Sequence, residues 1–288
     1  MDAKKDVILV TGASGKQGGA VARTLLDGGM RVRVTTRKPD AEAIRALQSR
    51  GAEVVRADFD DPSSIERACA GVWGLFAVQN TWEAGVEKEE EQGKHMAEVA
   101  RKAGVQHYVY TSVGSAHRKT GIPHFDNKWR VEETVRGLDF PSHVIIRPVF
   151  FMENLIGPGF ALPEGKFRIA LPPGRTLQMV AVDDIGKLGA RAFTHHAELN
   201  RKEIDLASDE LTPPATAKIL TEVLGKPFTS EQQPLEQVRA YSPEFAIMLE
   251  WFDRVGYNAD IAGLERTYGI KPTSFRSWAA ANKKALLG

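Results

Sequence analysis

A doubly wound, mostly parallel α/β sheet with a smaller mixed α/β lobe after it is the fold class the sequence predicts, and three observations carry it. Short apolar runs alternate with helix-length segments through the first 150 residues. The first run, Val7-Ile8-Leu9-Val10, is apolar at every position, as a strand buried on both faces requires. A glycine-rich turn separates that run from a helical segment. Strand and helix alternating in this way imply a parallel sheet with helices on both faces.

Each element carries its own signal. Ala20 to Leu26 reads as a helix stopped by Gly28-Gly29. Val32 to Thr36 is a second strand, Ala41 to Arg50 a second helix closed by Gly51, and Val54-Val55 a third strand. Pro62 with Ser63 and Ser64 opens a third helix that stops at Gly71, and Trp73 to Val78 is the fourth strand. A long helix from Val86 to Lys102 follows, and its Glu87–Glu91 run reads as a solvated face. His107 to Thr111 is the fifth strand, a helix spans about Asn127 to Arg136, and Val144 to Ile146 is the sixth strand. After Pro148 the rhythm breaks, and residues 157–176 carry many Gly and Pro with no period. A helix from Val182 to about His195 comes next. Helices at Pro213–Leu224, Pro234–Tyr241, Pro243–Asp253 and from Ser274 then mix with short strands. The expected division is residues 1–150 with 177–202 as the sheet domain, and residues 151–176 with 203–288 as the smaller lobe.

Composition excludes several function classes. The chain has 288 residues, and 38 Lys+Arg against 37 Asp+Glu leave a net charge of +1. Direct nucleic-acid binding is not expected, because phosphate neutralisation needs a concentrated basic surface. The single cysteine, Cys69, allows no intramolecular disulfide and no cysteine-based zinc site. His195-His196 look like a metal pair, but neighbours on a helix point about 100° apart. They read as surface residues, and no metal site is expected. Met152, Met179 and Met248 read as packing. The first residues, Met1 to Asp6, have no apolar stretch like that of a signal peptide, and no run approaches the roughly 18 apolar residues of a membrane span. A cytoplasmic protein with no membrane partner is expected.

Thr11-Gly12-Ala13-Ser14-Gly15-Lys16-Gln17-Gly18 fits T-G-x-x-G-x-x-G between a strand and a helix. Gly12 permits the tight turn, Gly15 lets a pyrophosphate approach the backbone, and Gly18 lets helix and strand pack closely. Free N–H groups from Ser14 to Gln17 would face the phosphates at the positive end of the helix. An NAD site needs an acid about 20 residues on, to accept from the ribose 2′-OH. Here no acid occurs between Asp27 and Asp40, and Thr35-Thr36-Arg37-Lys38 places Arg37 where it can grip a 2′-phosphate. The expected cofactor is therefore NADP(H). Asp58 and Phe59 follow the third strand, where a carboxylate could accept from the adenine amino group. Gln79, Asn80 and Thr81 follow the fourth strand and are candidates to line the ribose-phosphate path, although polar residues in such loops also serve as turn caps.

These motifs together resemble a known family. The glycine turn, Thr36-Arg37 and Ala57-Asp58-Phe59-Asp60-Asp61 are similar to atypical short-chain dehydrogenases/reductases. Asn80-Thr81-Trp82-Glu83, Gln92-Gly93-Lys94, Pro123-His124-Phe125-Asp126-Asn127-Lys128 and Phe151-Met152-Glu153-Asn154-Leu155 narrow the resemblance to the NmrA-like family, and within it to its redox sensors. The resemblance implies a Rossmann-type domain that binds NADP(H) and a small carboxyl-terminal lobe. It covers NADPH-dependent quinone and dye reductases as well as non-catalytic sensors that bind regulatory proteins.

Short-chain reductases use Tyr-x-x-x-Lys, in which Tyr donates a proton and Lys bonds the nicotinamide ribose and lowers the Tyr pKa. Here the pair is His124 and Lys128, four apart and hence on one helix face, with His124 read as just before the helix. A lone histidine near Lys⁺ should lose its proton more easily, which weakens it as an acid at neutral pH. Lys128 near a helix start opposes the dipole, so a ligand ribose or phosphate is its expected partner. Ser112, with Thr111, ends the fifth strand and is a candidate to bond substrate or nicotinamide. Phe150 and Asn154 follow the sixth strand, the first as an aromatic surface for the nicotinamide and the second as a polar anchor. The expected catalytic residues are His124, Lys128 and Ser112. Two functions follow: an NADPH-dependent oxidoreductase acting on a small planar acceptor such as a quinone, or an NADPH/NADP⁺ sensor that regulates a protein partner. A homodimer is compatible with either.

Overall fold

A computed structural model describes residues 2, 5–156, 162 and 165–287. Met1, Ala3 and Lys4 of the first segment, and residues 157–161, 163 and 164 of the Gly- and Pro-rich stretch, lie outside the described residues. In chain order the elements begin with β1 (Val7–Val10), α1 (Lys16–Asp27), β2 (Arg31–Thr36), α2 (Glu42–Ser49), β3 (Glu53–Arg56), α3 (Pro62–Cys69), β4 (Gly74–Ala77), α4 (Thr81–Ala84), α5 (Val86–Lys102), β5 (His107–Thr111), α6 (Pro123–Gly137) and β6 (Ser142–Pro148). They continue with β7 (Phe150–Phe151), β8 (Lys166–Ile169), β9 (Leu177–Val180), α7 (Val182–Thr194), β10 (Lys202–Leu206), β11 (Asp209–Leu211), α8 (Pro213–Leu224), β12 (Thr229–Gln232), α9 (Leu235–Tyr241), α10 (Pro243–Arg254), α11 (Ile261–Tyr268), α12 (Phe275–Ala281) and α13 (Lys283–Leu287).

Seven strands form one sheet in the order β10-β6-β5-β4-β1-β2-β3, a doubly wound, Rossmann-like α/β arrangement. Every neighbouring pair from β3 to β6 is parallel. β1 lies between β2 and β4, with Val10 opposite Val34 on one side and Phe76 on the other. That position explains its unbroken apolar sequence, since all four of its residues are buried. Smaller sheets, β11-β9-β7 and β12-β8, complete the α/β fold.

By contacts the chain divides into two compact units. One is drawn from the spans Met1–His117, His124–Arg147 and Ile185–Ile204, the other from Arg118–Pro123, Pro148–Asp184 and Asp205–Gly288. In the second unit two carboxylates, the buried Asp184 and the half-buried Glu153, tie distant segments together. Asp184 accepts from Ser208 Oγ at 2.6 Å, Thr273 N at 2.7 Å and Thr273 Oγ1 at 2.8 Å. Glu153 accepts from Trp278 Nε1 at 2.9 Å and Val182 N at 3.1 Å.

Several boundaries differ from the sequence reading for physical reasons. α1 starts at Lys16 rather than Ala20, so Gly18 and Gly19 are helical although glycine is a poor helix former. Close packing holds them there: a Cβ on Gly18 would stand 2.4 Å from Thr11 O and 2.5 Å from Gly12 O. α6 starts at Pro123, which takes the first helical position where its missing N–H costs nothing. His124 is therefore inside the helix and not before it. The short elements α4, α11, β7, β8, β9, β11 and β12 have two to eight residues each, too few for a period to show. Met152, Met179 and Met248 are buried. Among the described residues no helix is long and apolar enough to cross a membrane, and no group of three or more His, Cys, Asp or Glu is placed to hold a metal ion.

Candidate functional site

The glycine turn lies at the carboxyl end of β1. Gly12 adopts φ +60°, and a Cβ there would meet Val78 Cγ1 at 2.6 Å, so both conformation and space demand glycine. Thr11 closes the turn against β4: its hydroxyl donates to Val78 O at 3.0 Å and accepts from Val78 N at 2.9 Å. Gly15 is the residue before α1, and no side chain among the described residues caps that helix. Ser14, Gly15 and Lys16 are exposed, Gln17 is half-buried and Gly18 is buried. The first turn of α1 thus presents the positive end of the helix, where an anion is favoured. Gln17 is partly engaged, since its Oε1 accepts from Thr111 Oγ1 at 2.7 Å.

Arg37 follows β2, and its half-exposed guanidinium donates to the carboxylate of Glu83 on α4. Glu83 holds the guanidinium more firmly protonated, and the charges of Asp58 and Asp60 add to the effect. Asp58 is half-buried and caps its own loop, accepting from Asp60 N at 3.1 Å. Phe59 is partly buried and packs on the core cluster that includes Leu9, Leu75 and Tyr108. Asn80 caps α4 by accepting from Trp82 N at 3.2 Å.

A polar cluster surrounds the start of α6. Glu89 of α5 is buried and is the hub. It accepts from Lys128 Nζ at 2.6 Å, from Asn127 Nδ2 at 2.9 Å and from the Thr81 hydroxyl. Burial alone would raise the Glu89 pKa, but the Lys128 charge and these hydrogen bonds hold it below the usual carboxylate value. His124 is buried, one turn before Lys128, with its ring 5.3 Å from that of Trp82. Burial first, and then the Lys128 charge, push its pKa down to about 4. The imidazole is therefore neutral near pH 7.

Four buried side chains here have polar atoms without a hydrogen-bond partner among the described residues: both amide atoms of Gln79, Ser112 Oγ, His124 Nδ1 and Asn127 Oδ1. They come from the carboxyl ends of β4 and β5 and from α6. Polar groups withdrawn from both water and protein cost roughly 1–3 kcal/mol each, so such a cluster fits a polar ligand. With the glycine turn, these residues have the chemistry to hold a polar ligand such as a dinucleotide. Phe150, on β7, and Asn154, in the turn Met152–Ile156, belong to the second unit.

The sequence profile of the NmrA-like family matches residues 4–281. The chain belongs to the NmrA-like family. It is 30% identical over 294 residues to an NmrA-like family domain-containing protein of Dictyostelium discoideum, covering 94% of this chain and 96% of that one. It is 26% identical to the (4-alkanoyl-5-oxo-2,5-dihydrofuran-3-yl)methyl phosphate reductase of Streptomyces griseus, covering 97% and 99%. Among solved structures it resembles NmrA, a negative transcriptional regulator, in complex with NADP, with a TM-score of 0.79, 18% identity and coverage of 96% and 94%. It also resembles an NADPH-dependent quinone oxidoreductase from Escherichia coli, with a TM-score of 0.77, 23% identity and coverage of 96% and 98%. At these identities the structural likeness establishes the fold.

Three expectations about this NmrA-like chain are corrected by its structure. The Glu87–Glu91 run is not wholly solvated, because Glu89 is buried at the hub of the polar cluster. A ligand is not the only partner that can explain Lys128 near a helix start, because Glu89 supplies the countercharge. His196 is not a plain surface residue: it is half-buried, with its ring 5.1 Å from that of Trp73 and 5.8 Å from that of His107. His195 is exposed. Sequence reasoning missed Glu89 and the use of Asn127, yet one signal was present. Glu89, Gly93, Met96, Ala97 and Ala100 recur at helical spacing and are the buried stripe of α5. An acid in register with an apolar stripe marks a buried charge, and a buried charge requires a partner.

Proposed function

We propose that the chain binds NADP(H) and is an oxidoreductase that reduces a small planar acceptor such as a quinone. The observation that carries this reading is the set of unsatisfied polar atoms on Gln79, Ser112, His124 and Asn127 beside Lys128, in line with an uncapped, glycine-lined helix start. In this reading the NADP(H)-binding role falls to residues 1–150 with 177–202, and recognition of the acceptor or partner to residues 151–176 with 203–288. Gly12, Gly15 and Gly18 leave room for the pyrophosphate, and Arg37 takes the 2′-phosphate. Lys128, fixed by Glu89, orients the nicotinamide ribose, while Ser112 and Gln79 offer hydrogen bonds to the ring's amide or the acceptor. When bound, NADPH supplies a hydride, and one proton from water completes reduction of a quinone to its hydroquinone. His124 is neutral and buried, so it positions rather than protonates. Beside it, the exposed Trp82 indole offers a flat aromatic wall suited to a planar acceptor. The quinone oxidoreductase and the furanone phosphate reductase that this chain resembles support this class of acceptor.

One observation favours a second reading. A histidine with a pKa near 4 in place of tyrosine is a poor proton donor at neutral pH, which suits a protein that binds NADP(H) and signals rather than turns over. The NADP complex of the regulator NmrA is consistent with that use of the fold. The test is NADPH oxidation with a panel of quinones. For a reductase, Lys128→Ala should weaken cofactor binding and turnover together, and His124→Ala should lower turnover less than tenfold. A sensor gives no turnover, but hydrogen exchange that differs between NADPH, NADP⁺ and neither, since the cofactor forms must bind two conformations unequally. Absence of both effects would refute both readings.

A further inference from the structure

We infer that Glu83 sets the cofactor preference of this site by competing with the 2′-phosphate for Arg37, an inference that rests on the NADP(H) reading above. The two residues are 46 apart in sequence, on different loops at the carboxyl ends of β2 and β4, and their side chains meet with 52% and 55% exposure. No acid occurs in the segment between Asp27 and Asp40, yet the fold delivers one to the guanidinium from α4. The carboxylate holds Nη2, one of the guanidinium nitrogens that a phosphate would also use. Asp58 and Asp60 also act on Arg37, although Asp60 is itself held by Lys88 at 2.7 Å and Gln92 at 3.1 Å.

A 2′-phosphate that grips Arg37 through Nη2 must displace the Glu83 carboxylate from it and then face that carboxylate. The backbone of α4 is held beside this loop by the buried Thr81–Glu89 hydrogen bond and the Asn80 cap, so the displaced carboxylate stays within reach of the site. NADH suffers no such penalty. Its ribose 2′-OH can donate to the Glu83 carboxylate, the role that an acid after the second strand fills in NAD sites. Glu83 thus narrows the preference for NADPH that Arg37 creates.

The test is calorimetric titration of NADPH, NADH and 2′,5′-ADP into the wild-type chain, Glu83→Gln, Arg37→Ala and the double variant. Both side chains are half-exposed, so the variants should fold, and thermal melts check this. Glu83→Gln should tighten NADPH and 2′,5′-ADP by about fivefold, the scale of an exposed ion pair, and should not tighten NADH. That gain should shrink in the Arg37→Ala background to the part due to carboxylate–phosphate repulsion, because the double-mutant cycle isolates the pair. Unchanged or weaker NADPH binding by Glu83→Gln overturns the inference, as does an equal gain in both backgrounds, which would reflect net charge alone. If Arg37→Ala leaves NADPH affinity intact, the placement of the 2′-phosphate itself is wrong and the inference falls with it.

Discussion

Replacing Glu89 by alanine should destabilise the first unit by about 3 kcal/mol, the lower end of the range for breaking a buried ion pair by removing one partner. The lower end applies because Lys128 keeps 13% side-chain exposure while Glu89 keeps 1%, so some water reaches the stranded ammonium. The same change also strands Asn127 Nδ2, although that group retains its bond to Val86 O at 2.8 Å, and it strands the Thr81 hydroxyl. With an unfolding entropy of about 2.1 cal/mol/K per residue, a chain of 288 residues melting as one unit would lose about 5 °C in Tm. Differential scanning calorimetry at pH 7 measures this. Two further variants identify the cause. Glu89→Gln should recover the neutral hydrogen bonds but not the charge balance, and should fall between wild type and alanine. Adding Lys128→Met to Glu89→Leu should restore much of the loss by replacing the pair with apolar contact. A loss below about 1 kcal/mol for Glu89→Ala would place the pair among ordinary surface bridges and refute the reasoning.

Other consequences are equally direct. Gly18→Ala should cost about 1–3 kcal/mol through overpacking, because the new Cβ meets backbone oxygens at 2.4 and 2.5 Å that cannot rotate away; near-wild-type urea stability would contradict this packing. Gly15→Val should leave the fold largely intact, since a Cβ there meets only Gly12 O at 3.3 Å, yet should abolish NADPH binding, and a folded variant that still binds normally would displace the cofactor from this turn. Wild type should bind NADPH at least about tenfold tighter than NADH, roughly 1.4 kcal/mol, and Arg37→Asp should erode that ratio in the same titration. Burial holds His124 near 4 and His107 near 3, below the ordinary 6.5, so the unfolded chain binds more protons as the pH falls. Their contribution to stability is therefore full above about pH 6.5 and declines from there down to about pH 4 for His124. His124→Phe should flatten that part of a urea-midpoint profile, and an unaltered slope would show that His124 is not buried neutral.

The alternation of apolar runs and helices from Val7 to Ile146 was legible in the sequence because each period is local. So was the strand–turn–helix setting of Gly12 and Gly18, because positive φ at Gly12 and close backbone approach at Gly18 admit little besides glycine. The motifs Asn80 to Glu83 and Pro123 to Lys128 were visible as letters, but their use was not. Charges carry no local period, and their partners depend on which loops the sheet order brings together. β4 lies two strands from β2 with β1 between them, and only that order lets Glu83 reach Arg37. Only the packing of α5 beside the start of α6 turns Glu89 from one acid in a charged run into the buried partner of Lys128. Backbone conformation and burial periodicity were determined by the sequence alone. Which carboxylate neutralises which cation was decided by the tertiary structure, because Coulomb energy follows distance in space and burial rather than separation along the chain.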